Sequence, residues 1–163
     1  MVVTRWGARF MGRRIPCAIG RGGIRADKAE GDGATPAGVW HLEGVFWRAD
    51  RGASVATSLT VTPIGPRDIW SDDPADPDYN HALRAAGHPY SHERLRRADP
   101  LYDLVLVSDW NWPDAVPGQG SAIFVHRWRK PRHPTEGCIA FAPQDLRWIA
   151  ARWTPQSRII VRG

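Results

Sequence analysis

The segment over residues 122–145 places a histidine and a cysteine in a pattern suited to thiol chemistry. An apolar run over residues 122–125 ends at His126, a basic loop follows, and Gly137 stands directly before Cys138. A free cysteine is mostly protonated near neutral pH, so a nearby base or positive field must generate the thiolate. Two strands that pair or neighbour across the loop would bring the two side chains together. We therefore predict a cysteine nucleophile at Cys138, with His126 as its base.

Each member of this group also has an ordinary structural interpretation. A lone cysteine at the start of a strand is usually a small buried hydrophobe, and a lone histidine at a strand end is usually structural. Gly137 favours the catalytic interpretation, because a glycine lets the backbone approach a substrate closely and its N–H can help to hold an oxyanion. The combination of the three residues therefore predicts catalysis, whereas Cys138 or His126 alone would not.

The segment resembles the catalytic motif of the L,D-transpeptidases, the cysteine enzymes that cross-link bacterial peptidoglycan. Their motif is a histidine, a loop, and then Ser/Thr-x-Gly-Cys followed by a hydrophobic residue. This chain matches it with His126 and with residues 135–139, Thr-Glu-Gly-Cys-Ile. Many members carry histidine where this chain has Glu136, and arginine where it has Ala140. Both differences concern donor binding, and neither removes the nucleophile or its base.

A second segment, residues 28–38, also matches a pattern common in that family. It reads Lys-Ala-Glu-Gly-Asp-Gly-Ala-Thr-Pro-Ala-Gly, and the family pattern is Lys-x-Glu-Gly-Asp-x-x-Thr-Pro-x-Gly. From the residues alone it is a turn-rich loop, and no Gly-Lys-Ser/Thr follows that would make it a phosphate-binding loop. In the family it precedes a strand that builds one wall of the active-site region, which here covers residues 39–47. With both motifs in order, the resemblance extends from about residue 20 to the C-terminus.

The apolar patterns predict a mostly β fold in a single domain over residues 1–163. A helix begins at Pro143 and presents Leu146, Ile149, Ala150 and Trp153 on one face. The resemblance implies the same architecture, a mixed β-sheet sandwich with one or two short helices. A long irregular segment over residues 63–89 is expected to be a lid or a binding surface. Short apolar runs predict strands over residues 2–6, 15–19, 39–47, 59–62, 101–108, 122–125 and 158–161.

The resemblance implies peptidoglycan transpeptidation through a thioester. Cys138 would attack a stem-peptide carbonyl at an L-configured centre, and His126 would take the thiol proton and later protonate the leaving amine. The N–H groups of Gly137 and Cys138 would stabilise the oxyanion. The amine of a neighbouring stem would resolve the thioester into a cross-link of the 3-3 or 1-3 type, and water would give L,D-carboxypeptidase activity instead.

Four residues near the nucleophile are expected to contact the substrate. Thr135 and Glu136 belong to the nucleophile motif itself. Arg127 and Arg132 lie in the loop between base and nucleophile, as do Arg129 and Lys130, so we expect all four to rim the cleft, where arginine binds a carboxylate in a two-pronged geometry. At least one of these arginines would then replace the arginine that the family carries at the position of Ala140. The alternative is a loop face that is simply solvated.

His92 is a fifth candidate for substrate binding. It lies in a Ser-His-Glu triplet that also occurs in one branch of the family, which implies that His92 faces the substrate cleft. The alternative interpretation is local, because Ser91 is suited to cap a short helix over residues 92–97 and would leave His92 in the capping turn.

Two other classes of function remain open. The chain could be a non-catalytic cell-wall or polyanion-binding module on the same fold, with the loop arginines as its binding groups. It could also be a zinc peptidase that uses His81, His88, His92 and Glu93, although Pro89 interrupts the group and no His-Glu-x-x-His occurs. We expect neither a metal nor another cofactor.

Composition and charge limit the partners. The net charge of +5 suits polyanions, but no zinc-finger, helix-turn-helix or RNA-binding signature points to nucleic acid. No apolar run is long enough to cross a bilayer, and residues 1–20 lack the continuous apolar region of a signal peptide. A disulfide between Cys17 and Cys138 would block the nucleophile, so Cys17 is expected to be buried and reduced.

The resemblance also implies a place in the cell and a set of ligands. We expect a monomer in the periplasm or at the cell wall, exported either by a signal that this sequence does not show or by another route. Peptidoglycan stem peptides would serve as donor and acceptor, and carbapenems are candidate inhibitors.

Overall fold

Short strands dominate this protein, and a single helix interrupts them near the C-terminus. The computed structural model describes all 163 residues and confirms the mostly β architecture. In chain order the elements are β1 (Val2–Thr4), β2 (Gly7–Phe10), β3 (Arg13–Ile15), β4 (Cys17–Ala18), β5 (Ile24–Arg25), β6 (Thr35–Pro36), β7 (Gly38–Trp40), β8 (Leu42–Trp47), β9 (Thr60–Pro63), β10 (Asp68–Ser71), β11 (Ala82–Arg84), β12 (His92–Arg94), β13 (Leu104–Ser108), β14 (Phe124–Arg127), β15 (Ile139–Phe141), α1 (Pro143–Arg152) and β16 (Ile159–Val161).

Two main sheets share one hydrophobic core. The six-stranded sheet has the order β4-β15-β14-β13-β8-β9, and the five-stranded sheet has the order β3-β2-β1-β16-β7. Val3 and Ile159 from the second sheet pack in one cluster with Leu106 and Val125 from the first. Two smaller sheets, β11-β10-β12 and β5-β6, lie outside this pair. The arrangement is a β sandwich, as the resemblance implies.

The strand predicted over residues 39–47 is divided between the two main sheets. Its first part, β7, pairs with β16, whereas β8 pairs with β13 and β9. His41 separates the two strands, and the Asp109 carboxylate holds it through the backbone N–H at 2.7 Å and the ring Nδ1 at 2.9 Å. The chain therefore passes from one sheet to the other at His41.

Strands β13, β14 and β15 form the centre of the six-stranded sheet. Every residue of β13 is buried, as predicted for a strand covered on both faces. Strand β14 pairs antiparallel with β13, so that Val105 stands opposite His126. Strand β15 pairs with β14 in parallel, with Val125 opposite Ile139. The two halves of the predicted catalytic motif therefore lie on adjacent strands.

The helix α1 packs on the sheet as its sequence predicts. Pro143 occupies the first turn, and Leu146, Ile149 and Ala150 are buried. At the other end, the hydroxyl of Thr57 donates a 2.7 Å hydrogen bond to the carbonyl oxygen of Ala150. This contact gives a second donor to a carbonyl oxygen of the last turn, which also accepts the N–H of Trp153 at 3.3 Å.

The region over residues 63–97 differs from the prediction in two ways. The segment predicted to be irregular contains β10 and β11, which pair with each other. The prediction of a helix over residues 92–97 is wrong, because residues 92–94 form the strand β12. This strand pairs with β10, where Ser71 stands opposite His92. Pairing with a strand more than 20 residues earlier in the chain outweighs the local capping signal of Ser91, since β structure depends strongly on its tertiary context.

The N-terminal residues form more strands than the two predicted. Strands β1, β2 and β3 make an antiparallel meander, and β4 crosses to the other main sheet, where Cys17 stands opposite Phe141 of β15. Cys17 is buried and free, as expected. The helix α1 has neither the length nor the hydrophobicity that a bilayer crossing requires.

Candidate active site

Cys138 and His126 line the same cleft, which has a volume of about 440 Å³. One wall comes from the loop before β15, and a second comes from the residues that precede β14. A further wall comes from the three-stranded sheet β11-β10-β12. The cleft also contains charged residues of both signs: Glu30, Asp72, Glu93, Arg97, Arg129 and Glu136.

The register of β14 and β15 explains why His126 and Cys138 share a face of the sheet. Because Val125 stands opposite Ile139, the residues before them, Phe124 and Cys138, are also neighbours. His126 follows Phe124 by two positions, so its side chain leaves the same face of the sheet. The packing agrees, since Phe124 clusters with Cys138 whereas Val125 belongs to the main core on the other side.

Two backbone groups hold the thiol of Cys138. The N–H of Phe124 donates to Sγ at 3.3 Å, and the S–H group donates to the carbonyl oxygen of Ala122 at 3.2 Å. A donor directed at the sulfur favours the thiolate form, while a carbonyl acceptor favours the thiol. The thiol of Cys138 is therefore oriented by backbone groups at the start of β14 and just before it, and not by a flexible side chain.

A backbone carbonyl also orients the imidazole of His126. Its Nδ1 lies 2.7 Å from the carbonyl oxygen of Arg127. A carbonyl oxygen only accepts hydrogen bonds, so Nδ1 carries the proton and Nε2 is left unprotonated in the neutral ring. The ring of Tyr102 packs edge-on against the imidazole with centroids 5.3 Å apart. The imidazole of His126 is thus oriented without a carboxylate partner, and its Nε2 is able to accept a proton.

Burial keeps both Cys138 and His126 uncharged in the empty cleft. Burial and, to a lesser extent, the charge of Arg97 lower the pKa of His126 to about 4, although the hydrogen bond to the Arg127 carbonyl acts in the opposite direction. Burial raises the pKa of Cys138 to about 12, although the Phe124 N–H acts in the opposite direction. The resting pair is consequently a neutral imidazole and a thiol. This differs from the thiolate expected from the sequence, because neither side chain has the opposite charge beside it that would compensate for desolvation.

The backbone around the nucleophile offers one free donor. The N–H of Cys138 makes no hydrogen bond within the protein. The N–H of Gly137 donates to the hydroxyl oxygen of Thr135 at 3.2 Å, and the Thr135 hydroxyl itself donates to the carbonyl oxygen of Cys138 at 2.6 Å. The Cys138 N–H is therefore the one of these two backbone donors that has no partner in the resting cleft.

Thr35, from the second sequence motif, supports the nucleophile loop from behind. Its hydroxyl donates to the carbonyl oxygen of Gly137 at 2.7 Å and accepts the N–H of Gly20 at 2.8 Å. Next to these contacts, the backbone of Thr135 donates to Ile19 at 3.0 Å and accepts from Arg21 at 2.8 Å. The loop before Cys138 is thus bound to the segment that begins at Gly20.

Gly137 has no space for a side chain. Its φ is 142°, and a Cβ there would lie 3.0 Å from the carbonyl oxygen of Ala34 and 3.1 Å from Cδ1 of Ile123. Real Cβ atoms rarely approach other atoms so closely, and L-residues rarely adopt this φ. Both constraints favour glycine at the position directly before Cys138.

The acidic residues of the second motif have separate roles. Asp32 forms a 2.5 Å ion pair with the buried Lys28 and accepts the N–H of Ala34 at 2.8 Å, which shapes the turn. Glu30 lines the cleft, where it accepts hydrogen bonds from the hydroxyls of Tyr79 and, at 2.7 Å, Ser121. Sequence reasoning missed Glu30 as a cleft residue, although it stands in the matched motif.

Thr135 and Glu136 lie in the cleft, as expected from the sequence. The hydroxyl of Thr135 is engaged with backbone groups of the nucleophile loop. Glu136 is exposed and forms a 2.7 Å ion pair with Arg21. Exposed pairs of this kind contribute little to stability, so Glu136 remains available to a ligand.

Arg127 and Arg132 lie outside the cleft, which corrects the expectation for both. Arg127 follows His126 on β14 and points to the opposite face, where it lines a cavity beside Pro143 of α1. Arg132 donates to the carbonyl oxygen of Trp6 at 3.2 Å. The loop arginine that does line the cleft is Arg129, which is exposed and has no ion-pair partner.

His92 also lies outside the cleft, whereas the next residue, Glu93, lines it. Side chains alternate along β12, so His92 and Arg94 face a separate cavity of about 530 Å³ while Glu93 faces the cleft. Burial raises the pKa of Glu93. The Ser-His-Glu triplet therefore contributes its glutamate, and alternation along a strand was the signal that a predicted helix concealed.

The four residues of the zinc alternative, His81, His88, His92 and Glu93, are not arranged around a common point where a metal ion could bind. The Nδ1 atom of His81 lies 2.8 Å from the Tyr79 carbonyl oxygen, and Nε2 of His88 lies 2.6 Å from the Asp76 carboxylate. No group of three or more His, Cys, Asp or Glu side chains is arranged to hold a metal ion. The residues of this alternative are thus occupied by contacts within the protein.

Comparison with known proteins places the chain in one family. Searches of the curated proteins and of the solved structures find no match. A family model described as the L,D-transpeptidase catalytic domain, YkuD, matches residues 3–161. The match runs from β1 to β16 and includes both sequence motifs of the cleft. The chain therefore belongs to the L,D-transpeptidase catalytic-domain family.

Proposed function

We propose that this protein is a cysteine-dependent L,D-transpeptidase that joins peptidoglycan stem peptides through a thioester on Cys138. The family acts on such stem peptides, which gives the substrate class. The observation that carries the proposal is the position of Cys138 and His126 in one cleft, with Nε2 of the histidine free to accept a proton. The products would be 3-3 or 1-3 cross-links.

The first half-reaction forms the thioester. Sγ of Cys138 attacks the carbonyl carbon at the L-configured centre of the donor while Nε2 of His126 accepts the thiol proton. The C–N bond then breaks, and the imidazolium gives this proton to the leaving amine. Because the resting pair is neutral, the proton moves as the C–S bond forms. A stored ion pair is not required.

The second half-reaction releases the acyl group. The amine of a neighbouring stem attacks the thioester carbonyl and loses a proton to Nε2 of His126. The C–S bond breaks, and the thiolate of Cys138 recovers the proton from the imidazolium. Water in place of the amine would release a carboxylate, which is L,D-carboxypeptidase activity.

The Cys138 N–H is proposed as the main oxyanion donor in both steps. It has no partner in the resting cleft, so no contact has to break before it binds the oxyanion. The Gly137 N–H would join it after leaving the Thr135 hydroxyl, from which it lies 3.2 Å. Arg129 and Glu136 are proposed to contact the polar ends of the stems. Such an enzyme would work in the periplasm or at the cell wall.

Incubation of the purified protein with disaccharide-tetrapeptide, followed by mass analysis, tests the proposal. A cross-linked dimer supports transpeptidation, and loss of the terminal residue supports carboxypeptidase activity. Trapping of a thioester on Cys138 by acid quench would identify the intermediate. Binding of the peptide without either product would favour the alternative, a non-catalytic cell-wall module.

A further inference from the structure

Asn80 has a buried side-chain amide in which every hydrogen-bonding group has a partner. It lies between β10 and β11 and is 1% exposed. Its Oδ1 atom accepts the indole N–H of Trp70 at 2.9 Å and the backbone N–H of Ala122 at 3.0 Å. Its Nδ2 atom donates to the carbonyl oxygens of Trp110 at 3.1 Å and Asn111 at 2.7 Å. An amide has two donor hydrogens and an oxygen with two lone pairs, so these four contacts saturate it.

Ala122 is the residue through which this network reaches the thiol of Cys138. The S–H group donates to the carbonyl oxygen of Ala122 at 3.2 Å. Ala122 has a φ of 51°, a left-handed conformation that is uncommon for alanine and persists only where the surroundings hold it. The N–H of Ala122 has one hydrogen bond, and its acceptor is Asn80. The amide of Asn80 therefore holds the residue whose carbonyl orients the thiol.

The other backbone partner of the thiol needs no such support. The N–H group that donates to Sγ of Cys138 belongs to Phe124, the first residue of β14, and this strand pairs with β13 on one side and β15 on the other. Ala122 lies two residues before the strand and outside the pairing. The position of Sγ therefore depends on the sheet through Phe124 and on Asn80 through Ala122.

The placement of Asn80 separates it from the groups that can contact a substrate. Asn80 does not line the cleft, whereas Ala122 does. The backbone N–H of Asn80 donates to the carbonyl oxygen of Ser71 in β10 at 3.0 Å. Its φ is 59°, which asparagine tolerates better than most residues. Asn80 thus connects the three-stranded sheet β11-β10-β12 to the residues before β14.

We propose that Asn80 is a positioning residue for the nucleophile, because through the N–H of Ala122 it holds the carbonyl oxygen that orients the Cys138 thiol. Its effect on turnover rests on the proposed function, whereas the orientation of the thiol is a property of the resting protein. Without the amide, Ala122 leaves its left-handed conformation and its carbonyl turns away from Sγ. The turnover number should then fall about 10- to 100-fold, and the Michaelis constant should stay within about twofold.

Asn80→Gly tests the proposal, because glycine removes the amide and adopts a φ of 59° without strain. The S–H stretching band of Cys138, recorded by Raman spectroscopy in the Cys17→Ala background, reports the hydrogen bond of the thiol directly. A weaker hydrogen bond raises the frequency of this band, so Asn80→Gly should shift it upwards. Turnover of disaccharide-tetrapeptide by the same variant gives the two kinetic constants.

Ser71→Ala is the matched control. Ser71 is fully buried in the same part of the fold, and its hydroxyl donates a 2.5 Å hydrogen bond to Asp76 without contacting Ala122. This variant should be less stable but should keep the band position. No shift in Asn80→Gly, or an equal shift in Ser71→Ala, would overturn the proposal.

Hydrogen exchange of the Ala122 amide in the original protein tests the same contact without a variant, in case Asn80→Gly fails to fold. Slow exchange is expected, because the acceptor of this N–H is a buried side chain. Exchange at the rate of an unprotected amide would overturn the proposal. A band shift in Asn80→Gly without any cross-linking by the original protein would retain the positioning role of Asn80 and overturn the proposed function.

Discussion

The hydroxyl of Thr35 donates a 2.7 Å hydrogen bond to the carbonyl oxygen of Gly137 and joins the two sequence motifs directly. The same hydroxyl accepts the N–H of Gly20, and Thr35 has no exposed surface. A loop that precedes a nucleophile has to be held within a fraction of an ångström for the attack geometry to persist. The contact between Thr35 and Gly137 therefore connects a turn-rich loop near the N-terminus to the position of Sγ in Cys138.

Thr35→Val tests this connection. Valine has nearly the same shape but leaves the Gly137 carbonyl and the Gly20 N–H buried without partners. We expect the free energy of unfolding to fall by about 1–3 kcal/mol and the turnover number to fall as well. Denaturant unfolding and a stem-peptide assay measure the two effects. Thr60→Val is the control, since Thr60 is exposed and makes no side-chain hydrogen bond. An equal change in both variants would contradict the role of Thr35.

Cys138→Ala should abolish turnover and leave the fold intact. The side chain is buried but small, and its loss removes the atom that would form the thioester. Cys17→Ala is the matched control, because Cys17 is also free and buried but lies in β4, outside the cleft. Mass analysis of products and circular dichroism of both variants check the prediction. Activity that survives in Cys138→Ala and disappears in Cys17→Ala would move the site to Cys17.

The placement of Cys138 and His126 in one cleft could be predicted from sequence, because one short segment contains both residues and both strands that position them. The cleft residues from the three-stranded sheet β11-β10-β12 could not be predicted in this way. Glu93 faces the cleft only because residues 92–94 form a strand, and that strand depends on pairing with β10 far away in sequence. Arg127 shows the same limit, since a residue next to His126 on a strand must point to the other face. Proximity in sequence to the catalytic residues was therefore a poor guide to the substrate contacts.

The reactivity of Cys138 in the empty enzyme should rise with pH through the neutral range. Burial raises its pKa to about 12, so the thiolate fraction increases about tenfold per pH unit below that value. Alkylation by iodoacetamide should therefore be slow at pH 6 and should accelerate steadily to pH 9. The measurement uses the Cys17→Ala background, so that one thiol is followed. A rate that is already high and constant between pH 5 and pH 8 would indicate a thiolate–imidazolium pair instead of the neutral pair.

His126→Gln should lower turnover and also reduce the acid sensitivity of the fold. Glutamine can still donate to the Arg127 carbonyl but cannot act as a base, so we expect a loss of about two to four orders of magnitude in rate. Burial lowers the pKa of His126 from 6.5 to about 4, so the unfolded chain binds a proton in this range that the folded protein does not. The stability contributed by the neutral ring is therefore present above pH 6.5 and is lost as the pH falls towards 4.

The size of this effect follows from the same two values. At about 1.4 kcal/mol per pH unit, the neutral ring accounts for about 3 kcal/mol of unfolding free energy between pH 7 and pH 4. Urea unfolding at several pH values gives the difference between the original protein and His126→Gln. That difference should shrink as the pH falls, because the variant lacks the titrating group. Parallel curves for the two proteins over this range would show that His126 is not held neutral by the fold.

Arg129→Ala should weaken the binding of stem peptides and leave Cys138 chemistry unchanged. Arg129 is the loop arginine that lines the cleft, and it has no ion pair to lose within the protein. The Michaelis constant should rise about three- to tenfold, less than for a desolvated charge-assisted contact, because the side chain is exposed. Arg127→Ala and Arg132→Ala remove the same charge outside the cleft and should change the constant less than about twofold. Alkylation rates of the thiol should be the same in all three variants. If Arg127→Ala or Arg132→Ala had the larger effect on the Michaelis constant, carboxylate recognition would belong to a part of the loop that the resting cleft does not include.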